Sequence, residues 1–259
     1  MTDDTRLVPP PRELDLASHA FFLDFDGTLA PIVDHPDAVK LAPETAELVQ
    51  RLADACDGGV AIVTGRALAS VRPHLGPLSL VVSGSHGHEI HWPDGPETEA
   101  AQAAELDAAF AALDGFASDR GLRIERKPGA VALHYRNAEH HGADARAAVE
   151  AAVAGDPDLR AIHGNMVSEA ALARAGKGVA VRELLKSAPF RSKTPIMVGD
   201  DVTDEDGFRA AADLGGFGLR IGRASTDAAY QVETMDDFFG WLDGLLPPAD
   251  GKSGSGQEH

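Results

Sequence analysis

Apolar residues follow two rhythms along this chain. Unbroken runs at residues 20–23, 60–63 and 80–82 suit strands buried on both faces, which read as continuous apolar sequence. Between them the spacing is helical. One stretch begins at Pro43 and puts Leu48 and Leu52 on one face, with proline favourable in a first helical turn. Another covers residues 68–75. Strand and helix in alternation predict a parallel sheet with helices on both faces.

The middle of the chain changes character. Residues 99–113 and 142–153 are Ala-rich and helical in pattern. Residues 122–127 and 131–135 flank Pro128-Gly129, and residues 160–163 and 166–170 flank Gly164-Asn165. Both pairs read as hairpins. The parallel rhythm then resumes with a helix from Lys177, strands at 195–198 and 217–221, and a helix over 235–246. The predicted fold class is therefore α/β: a Rossmann-like parallel-sheet core from residues 1–86 and 173–247, with an inserted α+β cap over 87–172. Residues 248–259, rich in Gly and Ser toward their end, are expected to form a disordered tail.

Charge narrows the partners. The 259 residues carry a formal net charge of -18, which argues against nucleic acid and anionic membranes, both bound mainly through Lys and Arg. A small anionic substrate stays compatible if a metal and helix N-termini make one pocket locally positive. Cys56 is the only cysteine, so an internal disulfide and a cysteine-based zinc site are excluded. The first residues, Met1-Thr2-Asp3-Asp4, lack a basic start followed by an apolar stretch, and no apolar run is long enough to span a bilayer. A monomer in a reducing cytoplasm is the expectation.

The candidate chemistry lies where strands end. Phe22-Leu23-Asp24-Phe25-Asp26-Gly27-Thr28-Leu29 delivers two aspartates into a glycine break. Open α/β sheets bind ligands at this carboxyl edge. Carboxylates this close repel unless a cation separates them or one is protonated. Asp-Gly is also a common turn dipeptide, so further fragments must decide. Val198-Gly199-Asp200-Asp201-Val202-Thr203-Asp204-Glu205 again ends a strand in acids, with Asp204 also suited to capping a helix. Val63-Thr64-Gly65-Arg66 offers a hydroxyl and backbone N–H groups to phosphate oxygens, although a strand-end turn needs no such role. Lys177, between Gly176 and Gly178 at a helix start, can neutralise a phosphate, although an isolated lysine is usually just solvated.

Together the fragments specify one site. Asp24, Asp26 and Asp200, with Asp201 and Asp204 as further candidates, call for a hard cation with oxygen ligands, and magnesium fits. Asp24 would attack phosphorus, and Asp26 would protonate the leaving group and later activate water. Lys177 and Thr64 would share the charge on the equatorial oxygens.

In this order the four fragments resemble the haloacid dehalogenase superfamily of phosphohydrolases, and Asp26 favours its phosphatase branch. The closer resemblance, over about residues 21–245, is to the trehalose-6-phosphate phosphatases. Ser83-Gly84-Ser85-His86-Gly87-His88-Glu89 resembles their Gly-x-His-Gly segment at the entry to the cap. Glu125-Arg126-Lys127 and Ala132-Leu133-His134-Tyr135-Arg136 resemble their cap hairpin. The resemblance implies that Glu125, Lys127 and Glu169 contact disaccharide hydroxyls, and that Gly65, Arg66, His86, Gly87 and Arg136 join them in substrate binding. From the residues alone, His86, His88, His134 and His163 either line the cleft or pack, and packing is the default reading. One stretch departs from the family pattern Gly-Lys-x-Val-x-Glu-x-Arg/Lys-Pro: residues 164–172 read Gly-Asn-Met-Val-Ser-Glu-Ala-Ala-Leu, keeping the glutamate but losing two basic residues and the proline.

The implied activity is magnesium-dependent hydrolysis of trehalose 6-phosphate through an aspartyl-phosphate intermediate. A second reading keeps the chemistry on another phosphorylated sugar or a cyclitol, favoured by Asn165 and Ala171. A third, a catalytically silent sugar-phosphate sensor, is disfavoured by the retained Asp24 and Asp26.

Overall fold

A computed structural model describes residues 7–33, 38–95 and 103–248. The expected tail beyond Pro248, and residues 99–102 of the first Ala-rich stretch, lie outside the described residues. In chain order the first elements are β1 (His19–Leu23), α1 (Pro43–Ala55), β2 (Val60–Val63), α2 (Leu68–Val71), β3 (Val81–Gly84) and β4 (Glu89–His91). Next come α3 (Asp107–Arg120), β5 (Arg123–Lys127), β6 (Ala130–His134), α4 (Gly142–Val153), β7 (Leu159–Gly164) and β8 (Val167–Leu172). The chain then returns through α5 (Lys177–Leu184), β9 (Thr194–Gly199), α6 (Glu205–Asp213), β10 (Phe217–Ile221), β11 (Tyr230–Val232) and α7 (Met235–Leu245).

Seven strands form the core sheet in the order β11-β10-β9-β1-β2-β3-β4. All neighbours are parallel except β4, which runs antiparallel to β3. Its central place explains why β1 is apolar and buried from Ala20 to Leu23. Phe21 and Leu23 pack on one face with Val49, Leu52, Phe238 and Leu242 of α1 and α7. Ala20 and Phe22 pack on the other with Val181, Leu184 and Phe208 of α5 and α6. The register pairs Leu23 with Ile62 of β2 and Val198 of β9, so the residues that follow β1, β2 and β9 emerge together at one edge.

The cap is a four-stranded antiparallel sheet, β5-β6-β8-β7, backed by α3 and α4. Alternation assigns its faces, since successive strand side chains point to opposite sides. Val131, Leu133, Ala170 and Leu172 pack with Leu106, Leu113, Val149 and Val153. The opposite face carries Glu125, Ala132, Glu169 and Ile162, aligned across neighbouring strands by the register.

Three elements differ from the sequence reading. Glu89–His91 adds an edge strand to the core sheet instead of opening the inserted unit that residue 87 was expected to begin. The helix expected over residues 68–75 is α-helical only to Val71 and continues as a 3₁₀ turn over Arg72–His74. Pro73 has no N–H to donate, so it cannot continue the α-helical hydrogen-bond ladder. Tyr230–Val232, unexpected from the sequence, pairs with β10. No helix among the described residues is long and apolar enough to cross a membrane.

Candidate active site

Asp24 follows β1 directly, and its N–H donates to the Val198 carbonyl at 3.0 Å, tying this turn to β9. Asp24, Asp200 and Asp204 each bring a carboxylate oxygen within 4.8 Å of the others. Like charges this close are unfavourable without a counter-charge. Lys177 supplies one from the first turn of α5: its Nζ lies 2.6 Å from Asp24 Oδ1 and 2.6 Å from Asp204 Oδ1, with all three residues nearly or fully buried. Burial alone would drive the lysine toward its neutral form, but Asp204 and Asp24 outweigh it and hold Lys177 well above the ordinary lysine value. Burial pushes the Asp24 carboxyl well above the usual range. Lys177 opposes this, while Asp204 and Asp200 add to it.

Among the described residues Asp200 makes no such ion pair, and the charges of Lys177 and Arg220 only partly offset its burial. Burial, then the charge of Asp204, pushes its carboxyl up to about 7, and its Oδ1 is buried with no hydrogen-bond partner. The donors here are all oxygens, the set a hard divalent cation takes, so these residues can hold a metal ion. Asp204 is the most committed of the three. Besides Lys177, it accepts the Asp201 N–H at 2.9 Å, while the Asp201 side chain accepts from Val202 N at 2.7 Å. Reciprocal capping of this kind fixes a helix start. Gly27 makes room for the cluster. It has φ +78°, and a Cβ there would overlap the Asp200 carboxylate.

The neighbouring turns add donors for an anion. Thr64 follows β2, and its hydroxyl accepts the Arg66 N–H at 3.1 Å, leaving its own proton to donate. Arg66 grips both Asp26 oxygens, through Nε at 2.6 Å and Nη2 at 2.7 Å, a two-pronged pairing that fixes the carboxylate's direction. Ser85, His86 and Gly87 all have left-handed backbone, with φ of 48°, 53° and 91°. Glu89 anchors this turn by accepting from Ser85 Oγ at 2.5 Å and Leu68 N at 3.2 Å. The His86 ring lies so close to Gly65 that a Cβ there would approach it to 2.7 Å.

Core and cap meet at a buried polar junction. Glu169 receives Lys127 Nζ at 2.6 Å and shares a 2.8 Å hydrogen bond with His86 Nε2, while Lys127 also donates to the Gly65 carbonyl at 3.0 Å. Burial would raise the Glu169 carboxyl, but Lys127 and His86 together hold it well below the usual range. Glu125 pairs with His134 at 2.9 Å on the same cap face. Asp24, Asp26, Lys177 and Asp200 line the floor of a cavity of about 390 Å³, which is roofed by Glu125, Lys127, Arg136 and Glu169.

A family model described as trehalose-phosphatase matches residues 22–239. The chain belongs to the trehalose-phosphatase family. A probable trehalose-phosphate phosphatase of Sinorhizobium fredii is 40% identical over 210 residues, covering 80% of this chain and 79% of the relative. The trehalose-6-phosphate phosphatase of Escherichia coli is 32% identical over 237 residues, covering 88% and 86%. The C-terminal domain of the Candida albicans enzyme superposes with a TM-score of 0.79 at 21% identity, covering 94% of this chain and 100% of that one. A haloacid dehalogenase-like hydrolase of Bacillus subtilis shares the fold, with a TM-score of 0.64 at 16% identity, covering 87% of this chain and 98% of that one.

Within the trehalose-phosphatase frame, most expected residues reach the cavity. Asp26, expected among the metal ligands, lines it with both oxygens paired to Arg66. Arg66, expected at the substrate, lines it too. Gly87 does not line the cavity; it packs against Ala180 and the Gly176 carbonyl at the start of α5. His134 and Arg123, which the sequence reading did not select, both line the cavity. Arg123, Glu125 and Lys127 alternate along β5, a period-2 signal that would have found the first. Asn165 and Met166, in the departing stretch, also line it.

Gly27→Ala tests the fit between the two acidic turns. It should cost about 1–2 kcal/mol for the left-handed backbone and about 1–3 kcal/mol more for the displaced carboxylate, read by chemical denaturation. An unchanged unfolding midpoint would contradict this packing.

Proposed function

We propose that the chain hydrolyses trehalose 6-phosphate to trehalose and phosphate, with Asp24 as nucleophile and magnesium as cofactor. One observation carries the reading: Lys177 sits between Asp24 and Asp204, while the neighbouring Asp200 keeps an unpartnered oxygen at the same strand edge. The names of the relatives support the substrate, and the polar cap face supports a hydroxyl-rich ligand.

Asp24 and Asp200 would hold magnesium, whose charge would offset that of the phosphate. An Asp24 oxygen forms a bond to phosphorus as the bond from phosphorus to the sugar oxygen breaks. Asp26 would serve as the general acid that gives a proton to that leaving oxygen. Asp26 then takes a proton from water, which attacks phosphorus and breaks the bond to Asp24, releasing phosphate and restoring the carboxylate. Arg66 aims Asp26, and Lys177 with the Thr64 hydroxyl stabilises the equatorial oxygens. Asp204 keeps Lys177 in position and touches no substrate. Glu125, Lys127 and Glu169 would exchange their present partners for sugar hydroxyls. Asn165, standing where the family pattern has lysine, favours a second reading in which the same chemistry acts on another phosphorylated sugar or a cyclitol.

Phosphate release against a panel of sugar phosphates, with and without magnesium, tests the substrate and the cofactor together. Trehalose 6-phosphate should be hydrolysed fastest, and only with the metal; a faster cyclitol phosphate would favour the second reading. Asp24→Asn should abolish turnover and leave the circular dichroism spectrum unchanged. Substantial residual turnover would remove Asp24 as nucleophile. Lys127→Ala removes one charged hydrogen bond, worth about 1.5–3 kcal/mol. KM for trehalose 6-phosphate should therefore rise about ten- to a hundredfold, with little change for a small generic phosphate ester. An equal rise for both would show that Lys127 does not read the sugar.

A further inference from the structure

Arg220 is the one arginine that β10 carries, and only 7% of it is exposed. Its neighbours Leu219 and Ile221 pack into the apolar core beside β9. Alternation sends Arg220 to the other face, toward α6. In the parallel register Arg220 stands directly beside Gly199, the last residue of β9 before Asp200. Its guanidinium reaches past the strand end, where Nη2 donates to the Asp200 carbonyl at 2.7 Å and Nη1 reaches the Asp201 carbonyl at 3.4 Å. Nη1 also meets Glu205 Oε1 at 2.8 Å, and the other Glu205 oxygen accepts the Asp227 N–H at 2.8 Å. Burying a guanidinium costs several kcal/mol before its partners offset it. A strand that needed only to cover α6 would use an apolar side chain here.

The contacts converge on one peptide unit. The carbonyl of Asp200 and the N–H of Asp201 belong to the same planar amide. Arg220 holds the first, and the Asp204 carboxylate holds the second at 2.9 Å. With both ends clamped by charged side chains, that plane cannot turn, and the plane sets the direction in which the Asp200 side chain leaves the backbone. The Asp200 carboxylate then lies against Gly27, with its unpartnered Oδ1 in the acidic cluster.

We propose that Arg220, supported by Glu205, is a positioning residue for the metal site: it fixes the peptide that aims Asp200, and so sets divalent-cation affinity without touching metal or substrate. The assignment rests on the reading of Asp24 and Asp200 as cation ligands. Groups behind a ligand typically govern metal affinity by ten- to a hundredfold.

Mn2+ titration of the purified protein without substrate, followed by electron paramagnetic resonance, tests it. The double variant Arg220→Met with Glu205→Gln removes the arginine without stranding a buried carboxylate. It should melt cooperatively and bind Mn2+ about ten- to a hundredfold more weakly than the wild type. Its KM for trehalose 6-phosphate at saturating magnesium should stay unchanged, whereas the magnesium concentration for half-maximal rate rises. Arg220→Lys keeps the charge but loses the two-pronged reach, and should fall between the two. Wild-type Mn2+ affinity in the folded double variant overturns the proposal. If that variant does not fold, Arg220→Lys decides: weakened Mn2+ binding supports the proposal, and wild-type binding overturns it. A wild-type protein that binds no Mn2+ would bring down the metal reading itself, and the assignment with it.

Discussion

One buried ammonium group makes the strand edge possible. Asp24, Asp200 and Asp204 converge within 4.8 Å, and such a cluster would resist folding or take up protons without a positive charge beside it. Lys177 meets two of the three at 2.6 Å. Removing one partner of a buried pair costs about 3–5 kcal/mol, because the other is left charged and unpaired. The balance is incomplete: fully ionised, three carboxylates and one ammonium would leave two formal negative charges, a deficit that the proposed divalent cation would fill. In the proposed reaction, structural and catalytic demands would then be joined. The lysine that lets the chain bury its acids would also stand where a transferred phosphate needs positive charge.

The same logic recurs at the junction of core and cap. Glu169 is buried between Lys127 and His86, one partner from the cap sheet and one from the core. A polar roof of this kind is satisfied internally, each buried group meeting a partner of complementary character. The alanines at 130 and 132 on β6 are small and fully buried, and Ala132 stands beside both Glu125 and Glu169 in the register. The apolar face of the cap sheet, packed on α3 and α4, holds this roof in place.

The parallel core was legible because continuous apolar runs leave few alternatives, and both hairpins were legible because Pro128-Gly129 and Gly164-Asn165 punctuate them. The three-residue strands β4 and β11 were not, since so short a segment has no periodicity and takes its conformation from the neighbour it pairs with. The acids at strand ends announced the site, but their division of labour did not show. Asp24, Asp26, Asp200 and Asp204 look alike in sequence, and only geometry gives Asp26 to Arg66 and Asp204 to Lys177. Gly87 sits in a motif of which His86 reaches the cavity, yet its own place is set by packing against α5. Arg220 carried no signal, because a single basic residue in a strand acquires meaning only from what lies beside it in the sheet.

The proposed reaction needs a divalent ion between Asp24 and Asp200. Anomalous diffraction from crystals soaked in Mn2+ measures this directly. A single strong peak should lie within coordinating distance of both carboxylates, beside Lys177. A peak elsewhere, or none at that edge with the side chains ordered, would contradict it.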